Sequence, residues 1–155
     1  MGEPTGGPTW QVRTANAGDL PFLHDGELDY IREREPAQEV AWLGAVERNR
    51  ALWSANLDRT TVAEFAGRPV AYGMWAELDR VATVVTLYVL PVHRGHGLGA
   101  ALLDAVVHDV RRVGHHVLAL GVHRENPARR LYESAGFTPA GEDGDYLLLR
   151  RSLVS

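Results

Sequence analysis

The sequence predicts an α/β fold of the α+β type, built on a mixed, mostly antiparallel sheet. Three observations predict it. Apolar, β-branched runs at Thr60–Phe65, residues 70–78 and Val81–Val89 follow one another across short polar turns, the pattern of antiparallel hairpins. Val81–Val89 is then separated from residues 117–122, another such run, by a helical stripe with short links, which makes a right-handed βαβ unit and one parallel strand pair. The chain is 155 residues long, with no internal repeat and no linker-like stretch after its first residues, so it suits a single domain over residues 10–155.

Each element has a local reason. Residues 1–9 are rich in Gly, Pro and Thr and read as a disordered tail. Trp10–Thr14 alternates as a short strand. Asn16, or the Ala17-Gly18-Asp19 turn, caps a helix whose buried set is Leu20, Phe22, Leu23, Leu28 and Ile31. Pro36 opens a further helix over residues 37–52, with Val40, Leu43 and Val46 on one stripe. Ala66-Gly67-Arg68-Pro69 turns one hairpin and Asp79-Arg80 the next. Leu98, Leu102, Val106, Val110 and Val113 line one face of a helix that Gly114 stops. Asn126-Pro127 opens a short helix carrying Ala128, Leu131, Tyr132 and Ala135, ended by Gly136 with Phe137 just beyond the cap. Residues 138–141 and 146–151 form a last hairpin around Glu142-Asp143-Gly144.

The stretch from Val89 to Ala100 concentrates the chemistry. A proline, Arg94 and three glycines, Gly95, Gly97 and Gly99, lie between a buried strand and a helix start. Bare glycines leave the unpaired N–H groups and positive dipole end of the helix open to an oxyanion, and Arg94 adds a forked cation. A diphosphate cradle is the functional reading; a glycine turn that only lets a helix pack tightly is the alternative. No Lys-Ser or Lys-Thr follows the last glycine, which excludes a Walker loop, and Gly-x-Gly-x-Gly departs from the dinucleotide-fold spacing.

Composition bounds the rest. The absence of cysteine excludes disulfides, thiolate metal sites and a cysteine nucleophile, and suits a cytoplasmic protein. The formal net charge of -4, without a basic stripe, argues against nucleic acid. No apolar run is long enough for a membrane span. His93 with His96, and His115 with His116, lack a third ligand in a local frame, so no metal is expected. The acids Asp25, Glu27, Asp29, Glu33, Glu35 and Glu39 read either as the wet face of helices or as an acidic mouth that steers in a cationic substrate.

Two motifs stand on the halves of the parallel unit: Val89-x-Pro-x-x-Arg94-Gly-x-Gly97-x-Gly99, and Asn126-Pro-x-x-x-Leu131-Tyr132-Glu133-x-x-Gly136-Phe137. In this order and separation the pair resembles the GNAT superfamily of acetyl-coenzyme-A-dependent N-acetyltransferases, over about residues 67–151. Residues 10–60 fit only by element order. The resemblance implies the family's sheet, splayed at its one parallel pair with helices on both faces, and acetyl-coenzyme A as co-substrate. It implies that Arg94, Gly95, His96, Gly97, Leu98, Gly99 and Ala100 hold the pyrophosphate. Leu87, Tyr88 and Val89 would offer backbone groups to the pantetheine and acetyl carbonyl, the Val89 N–H as a modest oxyanion stabiliser, and Asn126 would contact the pantetheine or its sulfur. Tyr132 matches the family's general acid. A phenol stays protonated at neutral pH yet donates to a leaving thiolate, which is the independent physical case for that role; a tyrosine that merely packs is the alternative.

The chain departs from a common family pattern, because Val81–Val89 holds no carboxylate to serve as base. Glu77 is the first substitute, followed by Glu27, which also serves as a substrate-binding candidate, and His123; a low-pKa amine would need none. The expected reaction is direct acetyl transfer to a primary amine, of a small cationic molecule by the acidic residues 25–39. A peptide N-terminus or protein lysine is the runner-up acceptor. A catalytically inactive acyl-coenzyme-A sensor and an unrelated nucleotide-binding fold are the readings from other classes. Trp10, Trp42, Trp53 and Trp75 serve equally in a core or on a homodimer surface.

Overall fold

The computed structural model describes residues 9–154, so the tail expected at residues 1–9 lies, but for Thr9, outside the described residues. Seven strands form one sheet in the order β1-β2-β3-β4-β5-β7-β6: β1 Trp10–Thr14, β2 Thr60–Phe65, β3 Arg68–Leu78, β4 Val81–Val89, β5 Val117–His123, β6 Thr138–Asp143 and β7 Tyr146–Ser152. Every pairing is antiparallel except β4 with β5. The helices are α1 Leu20–Arg34, α2 Glu39–Gly44, α3 Val46–Ala55, α4 Leu98–Val113 and α5 Arg129–Ser134. No helix among the described residues is long and apolar enough to cross a membrane.

The sheet is covered on both faces, because its strands alternate apolar side chains to each. On one face, α4 contributes Leu103, Val106 and Val110 to a core with Trp75, Val84, Leu118, Leu120 and Leu149, joined by Phe137 after α5. On the other, Leu23 of α1 and Trp53 of α3 bury against Val62, Tyr72, Met74 and Tyr88. The entry to α1 is fixed by reciprocal capping. Asn16 Oδ1 accepts from the Gly18 N–H, and the Asp19 carboxylate accepts from the Asn16 N–H. Arg13 grips Asp19 at 2.8 Å and holds its carboxyl below the ordinary aspartate range.

Four expectations are corrected. The helix expected over residues 37–52 is two helices, broken at Ala45 (φ -104°, ψ 5°) after a 3-10 turn at Pro36–Gln38. Val40 is 83% exposed and Leu43 49% exposed, so the predicted stripe does not reach the core, whose place is filled by Leu23 and Trp53. On α4, Val113 is likewise exposed, although Leu98, Leu102, Val106 and Val110 are buried as their spacing predicts. The first hairpin turns more tightly than expected, with Arg68 and Pro69 already inside β3.

Candidate active site

The site exists because β4 and β5 part. The β3–β4 register jumps from Met74↔Thr86 to Trp75↔Val84, leaving Val85 as an extra residue, a bulge that bends β4. The parallel register with β5 holds at Thr83↔Ala119, while β5 stays paired with β7 as far as His123↔Tyr146. Beyond the bulge, the β5-facing backbone edge of β4 has no strand partner among the described residues, and two adjoining cavities occupy the gap.

The larger cavity, about 460 Å³, runs from the β4 end to the start of α4. Gly97 caps α4 at φ +82°, a left-handed conformation that glycine adopts without steric cost, and it offers no side-chain cap. The first helical bond is from the Ala101 N–H to the Gly97 carbonyl, so the N–H groups of Leu98, Gly99 and Ala100 stand free of the helix ladder. These N–H groups and the dipole behind them turn a positive end toward the cavity, and a residue with a side chain at 97 would have open space but a strained φ. Arg94 flanks it. Its Nε donates to the Val89 carbonyl at 2.8 Å, its Nη1 lies 3.2 and 3.3 Å from the two Glu33 oxygens, and its guanidinium sits 5.7 Å from the Tyr88 ring centroid. The donor set, three N–H groups with an arginine beside them, fits a diphosphate.

The smaller cavity, about 170 Å³, opens between β4 and β5 and is closed by α1. Glu27 reaches into it from α1. Its carboxylate accepts from the Tyr72 hydroxyl at 2.5 Å and the Thr86 hydroxyl at 2.8 Å. Burial pushes its pKa above the ordinary carboxylate range, against the pull of those two donors. The helix comes this close because residue 26 is glycine: a Cβ there would stand 2.5 Å from the Tyr72 hydroxyl and 3.0 Å from Tyr88. Glu35, just past α1, is 8% exposed and accepts from the hydroxyls of Tyr30, at 2.6 Å, and Tyr146. Asn126 ties the two cavities by donating to the Tyr30 hydroxyl at 3.3 Å, while its own Oδ1 accepts from the Ala128 N–H and fixes the start of α5.

Tyr132 lines both cavities. It is 7% exposed, and its hydroxyl has no hydrogen-bond partner among the described residues. Burial first, and the charge of Glu27 second, push its pKa up to about 12.

Of the residues singled out from sequence, Leu87, Tyr88, Val89 and Arg94 line the larger cavity, with Gly95, Gly97, Leu98, Gly99, Ala100, Asn126 and Tyr132. His96 does not; its ring packs 5.9 Å from that of Trp10. Glu27 and His123 line the smaller cavity. Glu77 lines neither: at the far end of β3 it meets Arg59 at 3.4 Å and His115 at 3.1 Å, and a carboxylate engaged there is not brought to Tyr132. Sequence reasoning missed Tyr30 and Tyr146 altogether, since no motif marks them. Glu35 was visible only as one of six acids. Their wet-face reading is corrected for Glu27 and Glu35, which turn inward. Trp53 and Trp75 are buried in the two cores, while Trp10 and Trp42 are partly exposed.

Comparison with known proteins agrees with this geometry. The model of the acetyltransferase (GNAT) family matches residues 23–137. The L-methionine sulfoximine/L-methionine sulfone acetyltransferase of Salmonella typhimurium is 39% identical over 71 residues, 44% of this chain and 42% of that protein. The chain therefore spans about two fifths of that relative's length. The ribosomal protein bS18 alanine N-acetyltransferase of Haemophilus influenzae is 38% identical over 114 residues, 73% of this chain and 75% of that one. In fold, the chain matches the PaiA N-acetyltransferase of Thermoplasma acidophilum, solved in complex with coenzyme A, with a TM-score of 0.79 at 16% identity, over 93% of this chain and 99% of that one. A family match across most of the sheet and both motifs, with a relative alike over about three quarters of each length, gives the assignment: the chain belongs to the acetyltransferase (GNAT) family.

Proposed function

We propose that residues 10–155 act as one N-acetyltransferase domain, moving the acetyl group of acetyl-coenzyme A to the primary amine of a small cationic acceptor by direct attack. The single observation that carries this is the position of Tyr132, which lines both cavities with a hydroxyl unpartnered among the described residues, while Glu27 lines the smaller one and its charge acts on that hydroxyl.

In this reading the coenzyme's diphosphate takes the N–H groups of Leu98, Gly99 and Ala100 together with Arg94, and its pantetheine arm lies along Leu87–Val89 and Asn126. When bound, it supplies the activated thioester. Glu27 draws the acceptor's ammonium into the smaller cavity and takes its proton. A carboxylate whose pKa is raised by burial is a better base near neutrality than an exposed one. The free amine attacks the thioester carbonyl, whose oxygen is met by a backbone N–H near Val89. Tyr132 gives its proton to the departing sulfur, coenzyme A leaves as the thiol, and the remaining extra proton on the attacking nitrogen passes to the phenolate, which restores Tyr132 and leaves a neutral amide. Glu27 thus takes the place in which Glu77 and the missing β4 carboxylate were sought.

A cationic acceptor is favoured because Glu27 and Glu35 both line the smaller cavity and no arginine does. A second reading, acetylation of a peptide N-terminus, is favoured by the Haemophilus relative, named as an alanine N-acetyltransferase. Release of coenzyme A thiol, followed with small amines, amino acids and an alanine-initiated peptide, tests both. Faster release with small cationic amines supports the proposal, and preference for the peptide supports the second reading. Binding of acetyl-coenzyme A with no transfer to any amine would leave only a sensor.

A further inference from the structure

Among the acids of residues 25–39, Glu35 is set apart by its partners. Glu33 is paired with Arg94 and Glu39 with Arg32, while Asp29 takes the Tyr88 hydroxyl. Arg32 and Arg34 both lie within three residues of Glu35, yet Arg32 turns to Glu39 and Arg34 lines the larger cavity. Glu35 has no cation within ion-pair distance among the described residues. Instead each oxygen accepts one phenol: Oε2 takes Tyr30 from α1, and Oε1 takes Tyr146 from β7.

Two phenols hold this carboxylate in place, and neither brings a positive charge to it. A carboxylate has about four lone-pair sites, of which these donors use two. A buried, uncompensated carboxylate is costly unless something cationic completes it. Glu35 borders the same small cavity as Glu27 and the Tyr132 hydroxyl, a side chain 7% exposed with no partner of its own. Two carboxylates thus line the cavity: Glu27, whose charge acts on Tyr132, and Glu35, held by Tyr30 and Tyr146.

We infer that Glu35 is a specificity-determining anchor for a second cationic group on the acceptor, so that the preferred substrate class is a short diamine, rather than a monoamine or an α-amino carboxylate. The inference rests on the acetyl-transfer reading above and adds a second point of attachment to it. An α-carboxylate would instead face two carboxylates, with His123 as the one basic side chain lining the cavity. Tyr30 and Tyr146 act as positioning residues, fixing Glu35 from opposite elements so that the separation between its charge and Glu27 is set by the fold.

The experiment measures kcat/KM at saturating acetyl-coenzyme A for α,ω-diamines of rising length against monoamines of the same carbon number, in the full chain and in Glu35→Gln. Completing a charged hydrogen bond leads to an expected diamine preference of about 10–100-fold, with a length optimum set by the two fixed carboxylates. In Glu35→Gln the diamine-to-monoamine ratio falls toward one, mainly through KM for the diamine. Equal efficiency of diamines and monoamines in the wild-type chain overturns the inference. So does an amino acid as best substrate, or a variant that lowers both amines alike, which would make Glu35 structural only. A preference that is flat in length would reduce it to general charge attraction and also overturn it. No transfer to any amine while acetyl-coenzyme A still binds is a different result, which removes the acetyl-transfer reading itself. If Glu35→Gln fails to fold, the wild-type length series decides alone.

Discussion

Glu33 lies 3.2 Å from the Arg94 guanidinium at the mouth of the larger cavity, so the cation placed beside the open end of α4 is already engaged by a carboxylate of α1. An incoming diphosphate has to share or displace that partner. Glu33→Gln is expected to tighten coenzyme A binding by about two- to fivefold, the scale of a half-exposed ion pair. Calorimetric titration at two ionic strengths checks it. The gain should shrink as salt rises, and an unchanged Kd at low salt would mean that Glu33 swings clear at no cost.

Tyr132→Phe removes a hydroxyl that has no hydrogen-bond partner among the described residues, on a side chain that lines both cavities. Turnover is expected to fall by ~10²–10⁴, or about 3–5 kcal/mol of barrier, with coenzyme A affinity nearly unchanged. The direction of its pKa matters here. A phenol raised to about 12 remains protonated throughout the working range, so the wild-type rate should rise with pH as the acceptor is deprotonated and show no alkaline loss from this group near neutrality. Wild-type turnover by the Phe variant would take Tyr132 out of the chemistry.

Glu27→Gln should separate function from stability. The folded-state pKa of Glu27 is raised, so between its unfolded value and that raised value the folded chain binds more protons than the unfolded chain. Stability from this group is full below the unfolded pKa and is lost as pH rises through the folded one. A neutral Gln, whose Oε1 still accepts from Tyr72 and Thr86, escapes that loss. The variant is expected to melt a few degrees higher than wild type above neutral pH, to converge with it toward pH ~4, and to lose most of its activity. A lower melting temperature at every pH would mean that the carboxylate's hydrogen bonds outweigh its burial.

Gly26→Ala tests how Glu27 is positioned. The added Cβ would meet the Tyr72 hydroxyl at 2.5 Å, forcing α1 away from the sheet or Tyr72 out of its place. Overpacking of this kind costs about 1–3 kcal/mol, read as a lower denaturation midpoint, and KM for the acceptor should rise while coenzyme A affinity holds. An acceptor KM that does not move would detach Glu27 from substrate binding.

The elements that line the larger cavity were legible from the chain because they are local. A glycine turn from Val89 to Ala100 and a capped helix from Asn126 to Phe137 carry their geometry in consecutive residues, and backbone N–H groups need no distant partner to point at an anion. The acceptor side was not legible in that way. Glu77 and Glu27 are both glutamates without a motif, and only the fold distinguishes them: one ends beside Arg59 and His115, the other between Tyr72 and Thr86. His96 sits among the turn residues in sequence, yet its side chain goes to Trp10. Val40 and Leu43 had the spacing of a buried stripe, but a break at Ala45 and a face already filled by Leu23 and Trp53 left them outside.

The sequence by itself determined the hairpins, the parallel unit and the glycine turn that starts α4, since periodicity and turn chemistry act over a few residues at a time. Tertiary structure alone decided which acids turn inward. Glu27 meets Tyr72 and Thr86 across 45 and 59 positions of chain, and Glu35 meets Tyr146 across 111. Contacts of that separation depend on how α1 lies over the gap that the Val85 bulge opens, and no local pattern records the approach of one element to another.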